Sequence, residues 1–533
     1  MMRSMDRQTS FFDVDQLLPE AFFAPLQHTV YGIVAEWGDH LLTSEDFAGL
    51  YHPRLGRPAV SPVLLAKALL LQFYEGVSDR EAEHRAAYDL RWKYALHLPL
   101  DQPGIDHVTL CRFRARLVSQ GQGRKIFNKV LALAVEAGLL SADAVRVIDS
   151  TCIFGAGAVH DTYTLIRKAI RKVAQVTQPQ ALWQALSEQL HRQDYTAPDD
   201  RKPEIDWSDA SARLALLQEL VADARRILEA LADKELPAEA REAVELLAEV
   251  TEQDIEEGPD GSVRIRHGVA KDRILSITDP EMRHGRKTNH RRFDGYKAHV
   301  AEDPGSELIT SVAVTPGNVP DAAPVLPMLE EEQAQGRQVH TLIGDTAYGS
   351  ATLRAELHQR GISILAPTVP VQNPHGLLPK TSFVLNLERG TCRCPAGYEA
   401  VPIEWRRNGS VHIFRVDGGL CRRCPLQPAC TQNPAKGRRI RVHPHEALLQ
   451  QARALEQTEA FREAYRNRSR VERKLAELVR HGLRQARYYG TVKVTFQLQM
   501  IATVVNLKRI WKLFQEKIRF PSRASVPYLA ATP

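Results

Sequence analysis

The chain has 533 residues, 44% hydrophobic and 25% charged, with a formal net charge of +6. That is far longer than one ordinary domain of ~100–200 residues, so several cores or large insertions are expected. The balance is that of a soluble globular protein, and no segment reaches the ~18–20 apolar residues of a spanning helix, which excludes a membrane-helix protein.

Charge is unevenly distributed. Glu229 to Asp260 holds twelve acidic residues against two basic ones, whereas Arg462 to Arg487 holds nine Lys/Arg against three Glu. A positive field focused within a nearly balanced chain suits a polyanion binder, with solvated helix faces as the alternative. The opening MMRSMDRQTS lacks the basic-then-apolar layout of a secretory signal, so a cytoplasmic location is expected.

In chain order, residues 1–140 read as helices. SPVLLAKALLLQFYEG is apolar at helical spacing and is broken by Gly76, after which Ser78, Asp79 and Glu81 suit a new helix start. DHVTLCRFRARL is a second acid-led start running into a basic helix. Two such units suggest a helix-turn-helix-like reader of DNA ends, or else a structural bundle. The texture changes at VRVID (145–149), a strand ending in an acid followed by Ser-Thr. A helical, polar block fills 160–261. Strands return at FDGYKAHVAED (293–303) and ELITSVAVTPG (307–317), a hairpin around Pro304-Gly305. Asp321 is read as a helix start, HTLIGD (340–345) as a buried strand ending in an acid, ATLRAELHQRG as a helix, and ISILAPT as a strand.

Without the helical block, the order strand, strand, strand, helix, strand, helix, strand and later a long helix matches an RNase H-like fold. The predicted class is multidomain α/β. It comprises an all-α N-terminal domain (1–140) and a mixed-sheet core (141–159 and 262–369). To these are added a helical insertion (160–261), a Cys-rich insertion (370–450), C-terminal helices of the core (451–515) and a tail (516–533).

Asp149 and Asp345 close two strands that would be neighbours in such a sheet, and Glu472 lies in the predicted helix 461–483. Three converging carboxylates suit two Mg²⁺ or Mn²⁺ ions, which serve phosphoryl transfer by assisting the attacking and leaving oxygens. Tyr465, Arg468 and Glu472 at i, i+3 and i+7 share one helix face, where Arg would meet phosphate. The basic run MRHGRKTNHRRFDGYK (282–297) offers Arg286, Lys287, Arg291, Arg292 and Lys297 for phosphate contacts, with a basic loop as the alternative. His290 and His299 are not required as general bases in this chemistry, and Tyr348 is read as a packing residue, with stacking on a base as the alternative.

The order VIDST, IGDTAYG, YRNRSRVE resembles that of bacterial insertion-sequence DDE transposases, and the likeness runs from about residue 57 to 510. LLQFYEGVSDREAEHRAAYDLRWKYAL and DHVTLCRFRARL resemble an InsH-type N-terminal domain; DSTCIFGAGAVHDTYTLIRKAIRK, FDGYKAH and GLRQARYYGTVKVTFQLQMIATVVNLKR resemble the catalytic part. The resemblance implies that Asp149, Asp345 and Glu472 form the catalytic triad, with Tyr465 and Arg468 as its companions. It further implies that double-stranded DNA, both transposon ends and target, is the partner, that ends are cut and then joined to target, and that the chain works as a homodimer. The chain departs from many relatives in having Val479 where they place a phosphate-holding Lys; Arg480 and Arg484 are the nearest substitutes. A nuclease that cleaves without joining, and an inactive zinc-containing DNA-binding protein, are the alternative readings.

Five of the seven cysteines lie between Cys392 and Cys430. Cys394, Cys421, Cys424 and Cys430, with Cys392 spare, have the pattern of a structural zinc site; reduced unliganded thiols are the alternative.

Overall fold

The computed structural model describes residues 12–52, 60–141, 143–178, 182–198, 202–259, 262–288, 290–370 and 375–519. The N-terminal part is helical: α1 (Val30–Leu41), α2 (Pro62–Glu75), α3 (Asp79–Tyr88), α4 (Leu90–Leu96), α5 (His107–Ser119) and α6 (Gly123–Glu136). Side chains start these helices as the sequence suggested. The Ser78 hydroxyl accepts from the Glu81 N–H at the head of α3, and Asp106 accepts from Val108 and Thr109 at the head of α5. Arg114 of α5 donates to both Asp79 oxygens at 2.6 and 2.7 Å, which ties the two helices together.

Strands β1 (Asp143–Phe154), β2 (Arg283–Arg286), β3 (Arg292–Glu302), β4 (Ile309–Pro316), β5 (Gln338–Ile343) and β6 (Ser363–Leu365) form one mixed sheet. Apart from the short strand β2, the order is β4-β3-β1-β5-β6. The first three are antiparallel; β5 runs parallel to β1, and β6 to β5. The β3–β4 hairpin falls where Pro304-Gly305 predicted it, and Asp303 holds its loop by accepting from the Ser306 N–H and hydroxyl. Gly295 lets β3 lie against β1: its φ is +146°, and a Cβ there would sit 2.2 Å from the Ile153 carbonyl oxygen.

Between β1 and β2 the chain forms α7 (Thr162–Thr177), α8 (Ala210–Leu231) and α9 (Ala238–Asp254), which pack around their own core of Leu165, Ile170, Leu220, Ile227 and Leu247. One sheet face is covered by α10 (Val325–Ala334) and α11 (Ala351–Gln359) through Ile148, Leu342, Leu353 and Leu357. Further on, β7 (Val384–Asn386), β8 (Thr391–Arg393), β9 (Glu399–Trp405), β10 (Val411–Arg415) and β11 (Arg439–Arg441) make a separate antiparallel sheet over Phe383, Cys392, Phe414 and Ile440. The chain then continues through α12 (Glu446–Glu456), α13 (Glu459–Tyr465), α14 (Arg468–Leu478) and α15 (Thr491–Arg519).

The other sheet face is buried by a single core. Leu69, Trp92 and Phe127 of the N-terminal helices, Val147, Tyr296 and Val300 of the sheet, and Leu475, Leu478 and Leu507 of the C-terminal helices all belong to it. Each such side chain contributes about 1.5–3 kcal/mol on burial, so the N-terminal helices are held to the sheet strongly. Beneath the sheet, the fully buried Arg146 of β1 forks onto Glu332 of α10 at 3.0 and 3.1 Å and reaches Asp303 at 3.2 Å; Arg337 completes the network on Glu332 at 2.9 Å.

Four expectations change in detail. Asp149 lies inside β1, because β3 keeps pairing with the strand as far as Phe154. Asp321 precedes its helix by a turn, since α10 begins at Val325. The predicted helix 461–483 is divided at Arg466–Asn467 into α13 and α14 and kinks again at His481–Gly482. Residues 516–519 of the expected tail continue α15, and the rest of that tail lies outside the described residues. Among the described residues no helix is long and apolar enough to cross a membrane.

Candidate active site

The parallel neighbour β5 pairs with β1 only from Asp143 to Val147. Two residues beyond, Asp149 therefore emerges where that edge of the strand has become free, with its Oδ1 accepting from the Ser150 N–H at 2.7 Å. Asp345 follows β5 by two residues and caps the short turn Thr346–Tyr348, accepting from the Ala347 N–H at 2.8 Å. Glu472 comes from α14, which packs across β1 and β3.

One turn before Glu472 on the same helix, Arg468 spans two of these acids. Its Nη2 lies 3.4 Å from Asp149 Oδ2 and its Nη1 2.9 Å from Glu472 Oε1. Burial pushes the Asp149 carboxyl up to about 6; the Ser150 N–H and Arg468 oppose the shift, while Asp345 and Glu472 add to it. Tyr465 stacks on Phe461 at 5.3 Å and feels the charges of Arg468, Asp345, Asp149 and Glu472, yet it does not line the cavity that these residues share.

That cavity, about 680 Å³, is lined by Asp149, Asp345 and Glu472, by a further acid, Asp321, and by the cations Arg286, Lys287, Lys297, Arg468, Arg480 and Arg484. Carboxylate oxygens are suitable donors for a hard divalent ion, and the surrounding cations suit phosphate. Arg291 and Arg292, also expected at the site, are exposed and do not line it. Among the described residues, Glu83, Asp106 and His107 are the set of three whose ligand atoms lie within 4.8 Å of one another. Helix capping by Asp106 and the 2.6 Å contact of His107 with Glu83 account for that set. The triad acids stand further apart, with the Arg468 guanidinium between two of them.

Val479 does line the cavity, and Gly482 adopts φ +92° two residues after Arg480. Arg480 before the kink and Arg484 after it both line the cavity as well. Arg484 donates to Thr151 Oγ1 at 3.2 Å and to the Cys152 carbonyl at 2.8 Å, locking the turn onto β1. His299, by contrast, is fully buried in the sheet with Nε2 2.9 Å from Thr315 Oγ1, and burial pushes it down to about 4.

Cys394, Cys421, Cys424 and Cys430 line one small apolar pocket with Leu378, Tyr398 and Val416; Cys392 is buried in the adjoining core. No three of these sulfurs meet the 4.8 Å separation.

Residues 21–116 match the family model described as a transposase domain (DUF772), and residues 393–511 match the one described as a transposase DDE domain. Both matches are to transposase families, so over these two segments the chain is similar to DDE transposases. The DDE-domain match includes the cysteine cluster, Tyr465, Arg468 and Glu472, while Asp149 and Asp345 precede it. No curated protein and no solved structure matches the chain.

Sequence reasoning passed over one acid of this cavity. Asp321 stands five residues after β4, much as Asp345 stands shortly after β5. A rule that searched for an acid beyond every core strand would have found it.

Proposed function

We propose that the chain binds transposon ends, cleaves DNA there and joins the freed 3′-hydroxyl to target DNA. The observation that carries this reading is the convergence of Asp149, Asp345 and Glu472, far apart in sequence, on one cavity rimmed with cations. The strand order β4-β3-β1-β5-β6 supports assignment of the core as RNase H-like.

DDE transposases use divalent metals, and Asp149, Asp345 and Glu472 would hold Mg²⁺ or Mn²⁺ here. Two such ions, when bound, stabilise the attacking and leaving oxygens. The protein's own residues have separate tasks. Arg468, with a planar fork already directed at two carboxylates, would turn that fork to phosphate oxygens once the carboxylates are otherwise engaged. Arg286, Lys287, Arg480 and Arg484 line the path of the DNA backbone and neutralise it. The helices of residues 1–140 read the ends, and a homodimer pairs two ends before cleavage. Cys394, Cys421, Cys424 and Cys430 would hold a structural zinc ion only if their sulfurs drew closer than they stand here; one zinc per chain in metal analysis of the purified protein would establish the site, and zinc-free folded protein would remove it.

The test pairs cleavage of intact end-bearing duplexes with strand transfer of pre-cut ends into a target plasmid, both under Mg²⁺ or Mn²⁺. Joined products from the wild type, lost in Asp149→Ala, Asp345→Ala and Glu472→Ala with end binding retained, are expected. Cleavage without joining would assign the chain to nucleases, and unchanged products in the three variants would remove the triad.

A further inference from the structure

Lys297 and Asp321 form an ion pair on the wall of the cavity. Lys297 sits on β3 opposite Cys152 of β1 on one side and Thr315 of β4 on the other, so its backbone is fixed in the middle of the sheet. Its ammonium donates to Asp321 Oδ1 at 2.9 Å and to the Val319 carbonyl at 2.9 Å. An ammonium has three hydrogens, and these two bonds leave one for a ligand in the cavity that Lys297 lines.

Two of the other cavity cations differ. The Arg468 charge is shared between Asp149 and Glu472, and Arg484 is committed to Thr151 and Cys152. Lysine ordinarily carries large rotamer freedom, which must be lost whenever it grips a phosphate. Here that freedom is already removed in the free protein, as electrostatic preorganisation requires. The acid doing so is held in turn: Pro320 precedes Asp321, and the Ala323 N–H closes on the Pro320 carbonyl. The neighbouring His299, kept neutral by burial, does not compete for the acid.

We propose that Asp321 is a positioning residue, which fixes Lys297 as a rigid contact for one backbone phosphate of the DNA in the cavity. The proposal rests on the transposase reading above and adds to it a residue that neither the triad nor its Tyr and Arg companions include. Asp321 acts through Lys297, so the two should behave as one unit.

The test uses full-length protein and duplexes carrying the terminal repeats that flank its coding sequence. It measures end affinity, single-turnover joining and Mn²⁺ binding for the wild type, Lys297→Met, Asp321→Asn and the double variant. Each single variant is expected to join about tenfold or more slowly while end affinity stays within about threefold, since misplacing a positioned group costs rate more than binding. The double variant is expected to be no slower than Lys297→Met, because residues acting as a unit are not additive. A neutral methylphosphonate at one backbone position should slow the wild type and leave Lys297→Met unaffected. Should Asp321→Asn fail to fold, Asp321→Glu takes its place in the same measurements, and the methylphosphonate comparison is repeated on it. Multiplicative losses in the double variant, weakened Mn²⁺ binding by Asp321→Asn, or the absence of any methylphosphonate position specific to Lys297 would each overturn the assignment. A wild type inert on these duplexes with either metal would refute the transposase reading and this one with it.

Discussion

The Arg468 guanidinium lies 3.4 Å from the Asp149 carboxylate, although 319 residues separate the two along the chain. Asp149 is largely withdrawn from water, and burial alone disfavours its charge. Arg468 opposes that cost while also holding Glu472. The helix thus brings its own counter-charge to the strand it docks on.

The fork should matter more than the charge. Arg468→Lys keeps a cation but cannot reach two carboxylates in parallel, so a roughly tenfold to hundredfold slower strand transfer is expected. Single-turnover joining rates check this. A rate equal to that of the wild type would reduce Arg468 to a point charge.

Glu302 gives a prediction about pH. It is fully buried in β3, and among the described residues neither carboxylate oxygen has a hydrogen-bond partner. Burial pushes it up to about 8 from an ordinary 4.5, against the pull of Lys474. The folded protein therefore keeps its proton in a window where the unfolded chain has lost it. The stability from this residue is complete below about pH 4.5, falls as pH rises towards about 8, and stays constant above. Glu302→Gln, which mimics the protonated form, should raise Tm at pH 8 and have little effect at pH 5. Melting curves across that range measure it; equal shifts at both ends would contradict the assignment.

The Arg146–Glu332 pair should be intolerant of losing one partner. Arg146→Ala leaves Glu332 with Arg337 alone, and Glu332→Ala leaves Arg146 with Asp303 alone and takes the acid from Arg337, so each should cost up to about 3–5 kcal/mol. Replacing both with apolar residues should recover much of that loss, although Arg337 on Glu332 limits how much. Urea unfolding of the three variants is the measurement.

Gly482→Ala should cost about 1–2 kcal/mol, the strain of a left-handed residue bearing a Cβ. Space is not the obstacle, as no atom lies within 4 Å of the position a Cβ would take. A larger fall in strand transfer than the change in stability accounts for would mean that the turn also aims Arg480 and Arg484.

Much of this arrangement was legible in the residues. Alternation in VRVID and HTLIGD located two core strands, and the caps at Ser78 and Asp106 were readable because capping is local chemistry. Asp149 as a strand terminus was misjudged for a non-local reason. Where β1 ends depends on how far β3 pairs with it, and periodicity within one segment carries no information about a partner's length. The break at Arg466–Asn467 was hidden similarly, since every residue of that stretch other than Gly482 tolerates a helix. Arg291 and Arg292 shared their basic run with Arg286 and Lys287, and composition could not say which of them the β2–β3 turn directs outward.

Because the N-terminal helices share one core with the sheet and with α15, they cannot swing as a separate arm. Anything they grip is held at a set distance from Asp149, as by a jig. On the function proposed above, the spacing between a DNA contact on those helices and the cut site would be set by the fold itself. The helical and cysteine-bearing parts, by contrast, stand on cores of their own.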